Sequence, residues 1–201
     1  MTRWAGILLA GGASRRFGRD KLVEKVAGAP LFTHPLRALL ATCEEVVIVL
    51  APDGPEPRIE DPTRVRFVRD DVAFAGPLAG CRAGLEAVRS EIAIVAAGDM
   101  PHLGTPLIEL IGARAAKGSA AVVLADGETA RPLPLALHVS AALPAARGLL
   151  ASGERRLRAL VAALAAEVVP LEVWSAVDPT GEWRRDVDVP EDLSARGLPL
   201  G

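Results

Sequence analysis

Three unbroken apolar runs constrain this chain most: Ile7-Leu8-Leu9-Ala10, Val46-Val47-Ile48-Val49-Leu50 and Ile92-Ala93-Ile94-Val95-Ala96-Ala97. Successive residues of a strand point to opposite faces. A run with no polar alternation therefore asks for burial on both faces, as in a parallel strand between two helical layers. Longer amphipathic segments separate the runs. Pro30 reads as the start of a helix with Leu31, Leu36, Leu39 and Leu40 on its apolar face. Gly76-Pro77 reads as the start of another, reaching about Ser90, because proline is tolerated in the first turn. Further helices are expected over residues 106–117 and 140–150. Further strands are expected over 65–68, 120–125, 131–137 and 168–171, with Pro132 and Pro134 putting the start of the third at a sheet edge. Pro52, Pro55, Pro57 and Pro62 make 51–64 a surface loop. Strands alternating with helices predict an α/β chain with a mostly parallel central sheet flanked by helices.

The first run breaks into Gly11-Gly12-Ala13-Ser14-Arg15-Arg16-Phe17-Gly18-Arg19-Asp20-Lys21. Glycines let the backbone approach a ligand closely, and successive N–H groups in such a turn form a nest for anions. Arg15, Arg16 and Lys21 add fixed positive charge. The combination suggests a triphosphate loop, although it closes neither as Gly-Lys-Ser/Thr nor as Gly-x-Gly-x-x-Gly. The third run stops at Gly98-Asp99-Met100-Pro101. A carboxylate at the end of a central parallel strand lies where open α/β sheets bind ligands, and carboxylate oxygen suits Mg²⁺. The same residue type also caps turns. Arg155 and Arg156 precede a helix, where they oppose its dipole; anion binding and plain solvation both account for such a pair.

With 23 Lys and Arg against 25 Asp and Glu the net charge is −2, so nothing global argues for nucleic acid. No apolar run approaches the roughly 20 residues of a membrane span, and no signal-peptide pattern is present. Cys43 and Cys81 form no metal or redox motif and read as reduced core residues. His34, His102 and His138 lack zinc spacing; His102, near Asp99, reads as an ordinary loop residue. A cytoplasmic protein is expected, with no membrane or nucleic-acid partner.

Leu-Ala-Gly-Gly-x-Ser-x-Arg-x-Gly-x-Asp-Lys from Leu9 to Lys21, Gly-Pro-Leu-Ala-Gly from Gly76, the strand ending in Asp99-Met100-Pro101, and Gly153-Glu154-Arg155-Arg156 resemble the molybdenum cofactor guanylyltransferases in order and spacing. Phe17 stands where that family usually has Met. In Arg185-Asp186-Val187-Asp188-Val189-Pro190-Glu191-Asp192-Leu193, Asp replaces two asparagines and Val a threonine. The resemblance implies a Rossmann-like sheet of the nucleotide-diphospho-sugar-transferase type. It also implies one nucleotidyltransferase domain over 1–201, with residues 1–100 binding GTP and 101–201 the acceptor. The implied reaction transfers GMP from GTP to molybdenum–molybdopterin, with Mg²⁺ and release of pyrophosphate. Leu9, Ala10 and Gly11 would hold the guanine and ribose; Gly12 to Gly18, with Arg16 and Lys21, would cradle the triphosphate. Asp70, or its neighbour Asp71, would contact the nucleotide, as would Gly76, Pro77 and Leu78. Asp99 would hold the metal, with Asp188 a second ligand. Arg131, Pro132, Arg155 and Arg156 would meet the acceptor. Molybdenum insertion proteins and molybdoenzyme chaperones are candidate partners. The rivals are a nucleotidyltransferase of the same fold, such as a cytidylyltransferase, and a GTP-binding adaptor without turnover.

Overall fold

The computed structural model describes residues 4–11, 24–59, 62–70 and 76–187. Gly12 to Gly18 with Arg16, and also Lys21, Asp71 and Asp188, lie outside the described residues. The strands are β1 (Trp4–Leu9), β2 (Lys25–Val26), β3 (Ala29–Pro30), β4 (Glu45–Leu50), β5 (Val65–Arg69), β6 (Ile92–Ala97), β7 (Ala121–Asp126), β8 (Thr129–His138) and β9 (Glu167–Val169). The α-helices are α1 (Thr33–Thr42), α2 (Pro77–Ala87), α3 (Thr105–Ala115), α4 (Val139–Ala151), α5 (Leu157–Ala163) and α6 (Leu171–Trp174).

Seven strands form one sheet in the order β5-β4-β1-β6-β8-β7-β9, and β2 and β3 form a separate hairpin. Only β8 runs against the rest: it is antiparallel to both β6 and β7, and all other neighbours in the sheet are parallel. The expected mostly parallel α/β sheet is therefore what forms. The chain builds outward from β1 through β4 to β5, then returns to lay β6 on the other side of β1. Strand order reverses there, and such a switch point opens a crevice at the carboxyl ends of the strands.

The apolar runs bury both of their faces. Along β4, Val46, Ile48 and Leu50 join the core beneath α1 and α3, while Val47 and Val49 join the core beneath α2, α4 and α5. Cys43 and Cys81 are buried free thiols, and burial pushes them up to about 11 and about 12 respectively.

Two expectations are corrected. Pro30 does not open a helix: it pairs with Lys25 in the β2–β3 hairpin, and α1 begins at Thr33, whose hydroxyl donates to the Pro30 carbonyl at 2.6 Å. Leu31 is fully buried, but ahead of the helix. The strand containing Pro132 and Pro134 is not at an edge, since β8 lies between β6 and β7. Its pairing with β6 spans only Leu135 to His138, and its pairing with β7 jumps from Arg131 to Ala136 across an irregularity. The prolines, which have no N–H to donate, fall in the stretch that neither ladder uses.

Helix α2 sits so close to β1 that a Cβ on Gly84 would lie 2.4 Å from Cγ2 of Ile7. That methyl branches directly from the Cβ of a fully buried strand residue and cannot swing away. Gly84→Ala gains about 1 kcal/mol of helix propensity but overpacks this contact by about 1–3 kcal/mol. A net loss of about 1 kcal/mol, the middle of the resulting range, should lower the melting temperature by a few degrees in thermal denaturation; a raised value would mean that α2 can lift off β1 at no cost.

Candidate active site

Past its last residue, β1 remains held on both sides. Ala10 N–H donates to Val49 O at 2.8 Å, and Gly98 N–H donates to Leu9 O at 3.0 Å. Gly11 then leaves the sheet against β4: a Cβ there would lie 2.9 Å from the Ala51 nitrogen and 3.1 Å from the Leu50 carbonyl carbon. Only glycine lets the two backbones stay that close. Leu9, Ala10 and Gly11 are half-buried.

Two carboxylates flank this point at the same edge of the sheet. Asp70 follows β5, and its N–H donates to Leu50 O at 3.0 Å. Asp99 sits in the turn after β6. Both are half-buried. Three strand spacings separate β5 from β6, about 14 Å at ~4.8 Å each. The two carboxylates are thus too far apart to hold one ion between them.

Among the described residues, no three His, Cys, Asp or Glu side chains converge on a common point. A single carboxylate at a ligand crevice nonetheless fits Mg²⁺, which keeps much of its water and takes one or two carboxylates plus substrate phosphate oxygens.

The start of α2 is packed against the chain itself. Leu78 N–H donates to Arg155 O at 3.2 Å, Ala79 N–H donates to Gly76 O at 3.1 Å, and Pro77 has no N–H. Gly76 has φ +90°, and a Cβ on it would lie 2.8 Å from Arg155 O. Gly76-Pro77-Leu78 and Glu154-Arg155-Arg156 are therefore in direct contact, which no local pattern announced. The Glu154 carboxylate accepts from the N–H groups of Arg155 (2.8 Å) and Arg156 (3.0 Å), and from Arg156 Nε (2.8 Å) and Nη2 (2.7 Å). The Arg156 guanidinium and these two amides hold its carboxyl well below the usual range, and the pair raises Arg156 in turn. Arg155 donates through Nη1 to Leu150 O (3.2 Å) and Glu154 O (2.9 Å). The Glu154 carboxylate thus pairs with the Arg156 guanidinium, while that of Arg155 is held by backbone carbonyls.

The segment from Gly181 to Val187 closes the opposite flank. Arg131 lies on β8 beside it, and its guanidinium donates to Asp186 Oδ2 at 2.5 Å and to Arg184 O. Pro132, next to it, is half-buried. The segment ends where Val187 N–H donates to Asp99 O at 3.1 Å. His102 Nδ1 is 3.6 Å from Glu182 Oε2; partial burial pushes the imidazole down, against the pull of Glu182. Trp174, Trp183, Arg184 and Asp186, absent from the sequence-based site, belong to this flank. The sequence signal for them is Trp183 directly before Arg184 and Arg185 in a chain with few aromatic residues; Trp174 meets Arg184 only in the fold.

Residues 6–168 match the family described as the MobA-like NTP transferase domain. The chain is 32% identical over 201 residues to the "Probable molybdenum cofactor guanylyltransferase" of Chloroflexus aggregans, covering 98% of this chain and 95% of that one. It is 36% identical over 163 residues to the protein of the same name from Mycobacterium tuberculosis, covering 78% of each. Among solved structures, the molybdopterin-guanine dinucleotide biosynthesis protein A of Archaeoglobus fulgidus superposes with a TM-score of 0.80 at 22% identity, covering 94% of this chain and 95% of that one. A 2-C-methyl-D-erythritol 4-phosphate cytidylyltransferase from Thermus thermophilus gives 0.67 at 20% identity, with 94% of each covered. These two structural likenesses show a shared nucleotidyltransferase fold.

The junction of α2 with Arg155 yields a prediction. Gly76→Ala places a Cβ both at positive φ and against the Arg155 carbonyl, at a cost of about 1–3 kcal/mol. Denaturant unfolding should show a lower midpoint with an unchanged slope; no change in midpoint would mean that the junction does not hold α2 as described.

Proposed function

The chain belongs to the family of MobA-like NTP transferases, and from that membership we propose that it transfers GMP from GTP to the terminal phosphate of molybdenum–molybdopterin, releasing pyrophosphate. The observation that carries this reading is the joining of the Leu9–Gly11 strand end to the Asp99 turn by the Gly98–Leu9 hydrogen bond. It supports the reading because it puts the end of β1 beside the Asp99 turn at the switch point.

The acceptor phosphate is already an anion, so it attacks the α-phosphorus directly and no covalent enzyme intermediate is needed. Catalysis then consists of positioning and charge neutralisation. Backbone groups of Leu9, Ala10 and Gly11 read the guanine and ribose, and Asp70 meets the nucleotide further along the edge. Gly12 to Gly18, Arg16 and Lys21 hold the triphosphate and spread its charge. Gly76, Pro77 and Leu78 shape the neighbouring wall, with the Leu78 amide already engaged by Arg155 O. Asp99 is the primary ligand for Mg²⁺, which when bound neutralises phosphate oxygens. Asp188 as the second ligand is supported by its place directly after Val187, whose N–H reaches Asp99. Arg155 and Arg156 border the acceptor side. In this reading residues 1–100 chiefly bind GTP and 101–201 the acceptor. The reaction takes place in the cytoplasm, and the product passes to molybdenum insertion or molybdoenzyme chaperone proteins.

Incubation of the chain with Mg²⁺, molybdenum–molybdopterin and each of GTP, ATP, CTP and UTP, followed by mass analysis, tests the reaction and the base together. The guanine dinucleotide should form with GTP in roughly thousandfold preference to CTP, because a site built for guanine hydrogen bonds leaves buried polar groups unpaired with the wrong base. Equal turnover with CTP would move the chain to the cytidylyltransferases, and GTP binding without any product would make it an adaptor.

Asp99→Asn removes one charge at nearly constant shape. It should preserve the melting temperature while cutting pyrophosphate release on the order of 100-fold. Near-normal release at saturating Mg²⁺ would take Asp99 out of the metal site.

A further inference from the structure

The segment from Gly181 to Val187 is a strap laid over the carboxyl edge of the sheet, crossing three neighbouring strands in turn. At β7, Arg184 Nη1 reaches Asp126 Oδ1 at 3.2 Å while its guanidinium covers the Trp174 ring at 5.3 Å. Trp174 is itself fixed by Nε1–H donating to Ala125 O at 2.9 Å. At β8, Arg131 holds the Asp186 carboxylate and the Arg184 carbonyl, with its guanidinium 5.8 Å from the Trp183 ring centre. At β6, Val187 N–H closes on Asp99 O. Trp183 is fully buried and meets Trp174 edge to face, centroids 5.5 Å apart at 89°.

We infer that Arg131 is a positioning residue for the metal carboxylate, acting through the strap on the Gly98–Asp99 turn rather than by touching a substrate. Its guanidinium grips the strap at two nearby points, Arg184 O and Asp186, just before the bond to Asp99. Its charge-assisted contact with a carboxylate three-quarters shielded from water is of the stronger class of hydrogen bonds. Freed from it, the strap keeps its tryptophan anchor and the Val187–Asp99 bond but loses the side-chain grip that holds Arg184 and Asp186 against β8. The inference rests on Asp99 as the metal ligand. It assigns Arg131 away from the acceptor.

The test uses the full chain with Arg131→Ala, Arg131→Lys and the near-isosteric Asp186→Asn, which breaks the same pair with less risk to folding. Amide exchange over 181–187 should quicken at least tenfold in Arg131→Ala and Asp186→Asn. Mn²⁺ titration in the presence of GTP, followed by electron paramagnetic resonance, should show affinity falling about tenfold in both, the lower range for loss of an outer partner of a metal ligand. Arg131→Lys should recover part of each, since an ammonium keeps the ion pair but not the forked grip. The KM for molybdenum–molybdopterin should stay within twofold of wild type. Unchanged exchange, or faster exchange with unchanged Mn²⁺ affinity, would overturn the inference. So would a raised acceptor KM in Arg131→Ala that Asp186→Asn does not share. Absence of turnover in the wild type would instead refute the proposed reaction, while exchange and Mn²⁺ titration would still decide the role of Arg131.

Discussion

The site depends on β1 being held past its own end. Backbone groups shielded from water must find partners, and those at the end of β1 find them on either side: Ala10 N–H on Val49 of β4, Leu9 O on Gly98 just past β6. These two bonds fix the direction in which the chain leaves the sheet, and Gly11 keeps that exit tight against Leu50 and Ala51. The Asp99 turn takes its place from the same pair of bonds, because Gly98 supplies one of them. A side chain at Gly11 or a shift of β6 would therefore move the backbone edge and the carboxylate together.

Much of the fold is legible in the sequence because a strand buried on both faces writes its own signal. Ile92–Ala97 forms over the residues its apolar run marks out, and β4 departs from its run only by Glu45 at the entrance. What misleads is proline. Pro30 reads as a helix start when only the following residues are weighed, yet it faces Lys25 across a hairpin. Pro132 and Pro134 read as edge residues, yet they sit mid-sheet where pairing with β7 slips and pairing with β6 has not begun. In both cases the deciding partner is another segment, which a local pattern does not contain.

The site divides along the same line. Leu9 to Gly11 and Asp99 stand out because strand ends are local events, and the structure brings them together. The contact of Gly76 with Arg155 and the grip of Arg131 on Asp186 join segments far apart in the chain. Arg156 and Arg131, read in isolation, look like free cations awaiting an anion. Glu154 and Asp186 are the anions, one a near neighbour in sequence and one not.

The strap also sets when this protein can be complete. Synthesis delivers β1 to β6 first, with every strand end of the crevice already present. The bond that finishes the Asp99 turn comes from Val187, nearly ninety residues later, and closing so long a loop is paid in chain entropy before any contact repays it. A growing chain can thus hold a finished sheet and an unfinished centre. A product truncated before the strap would therefore keep the sheet and lack the hold that Val187 puts on the Asp99 turn.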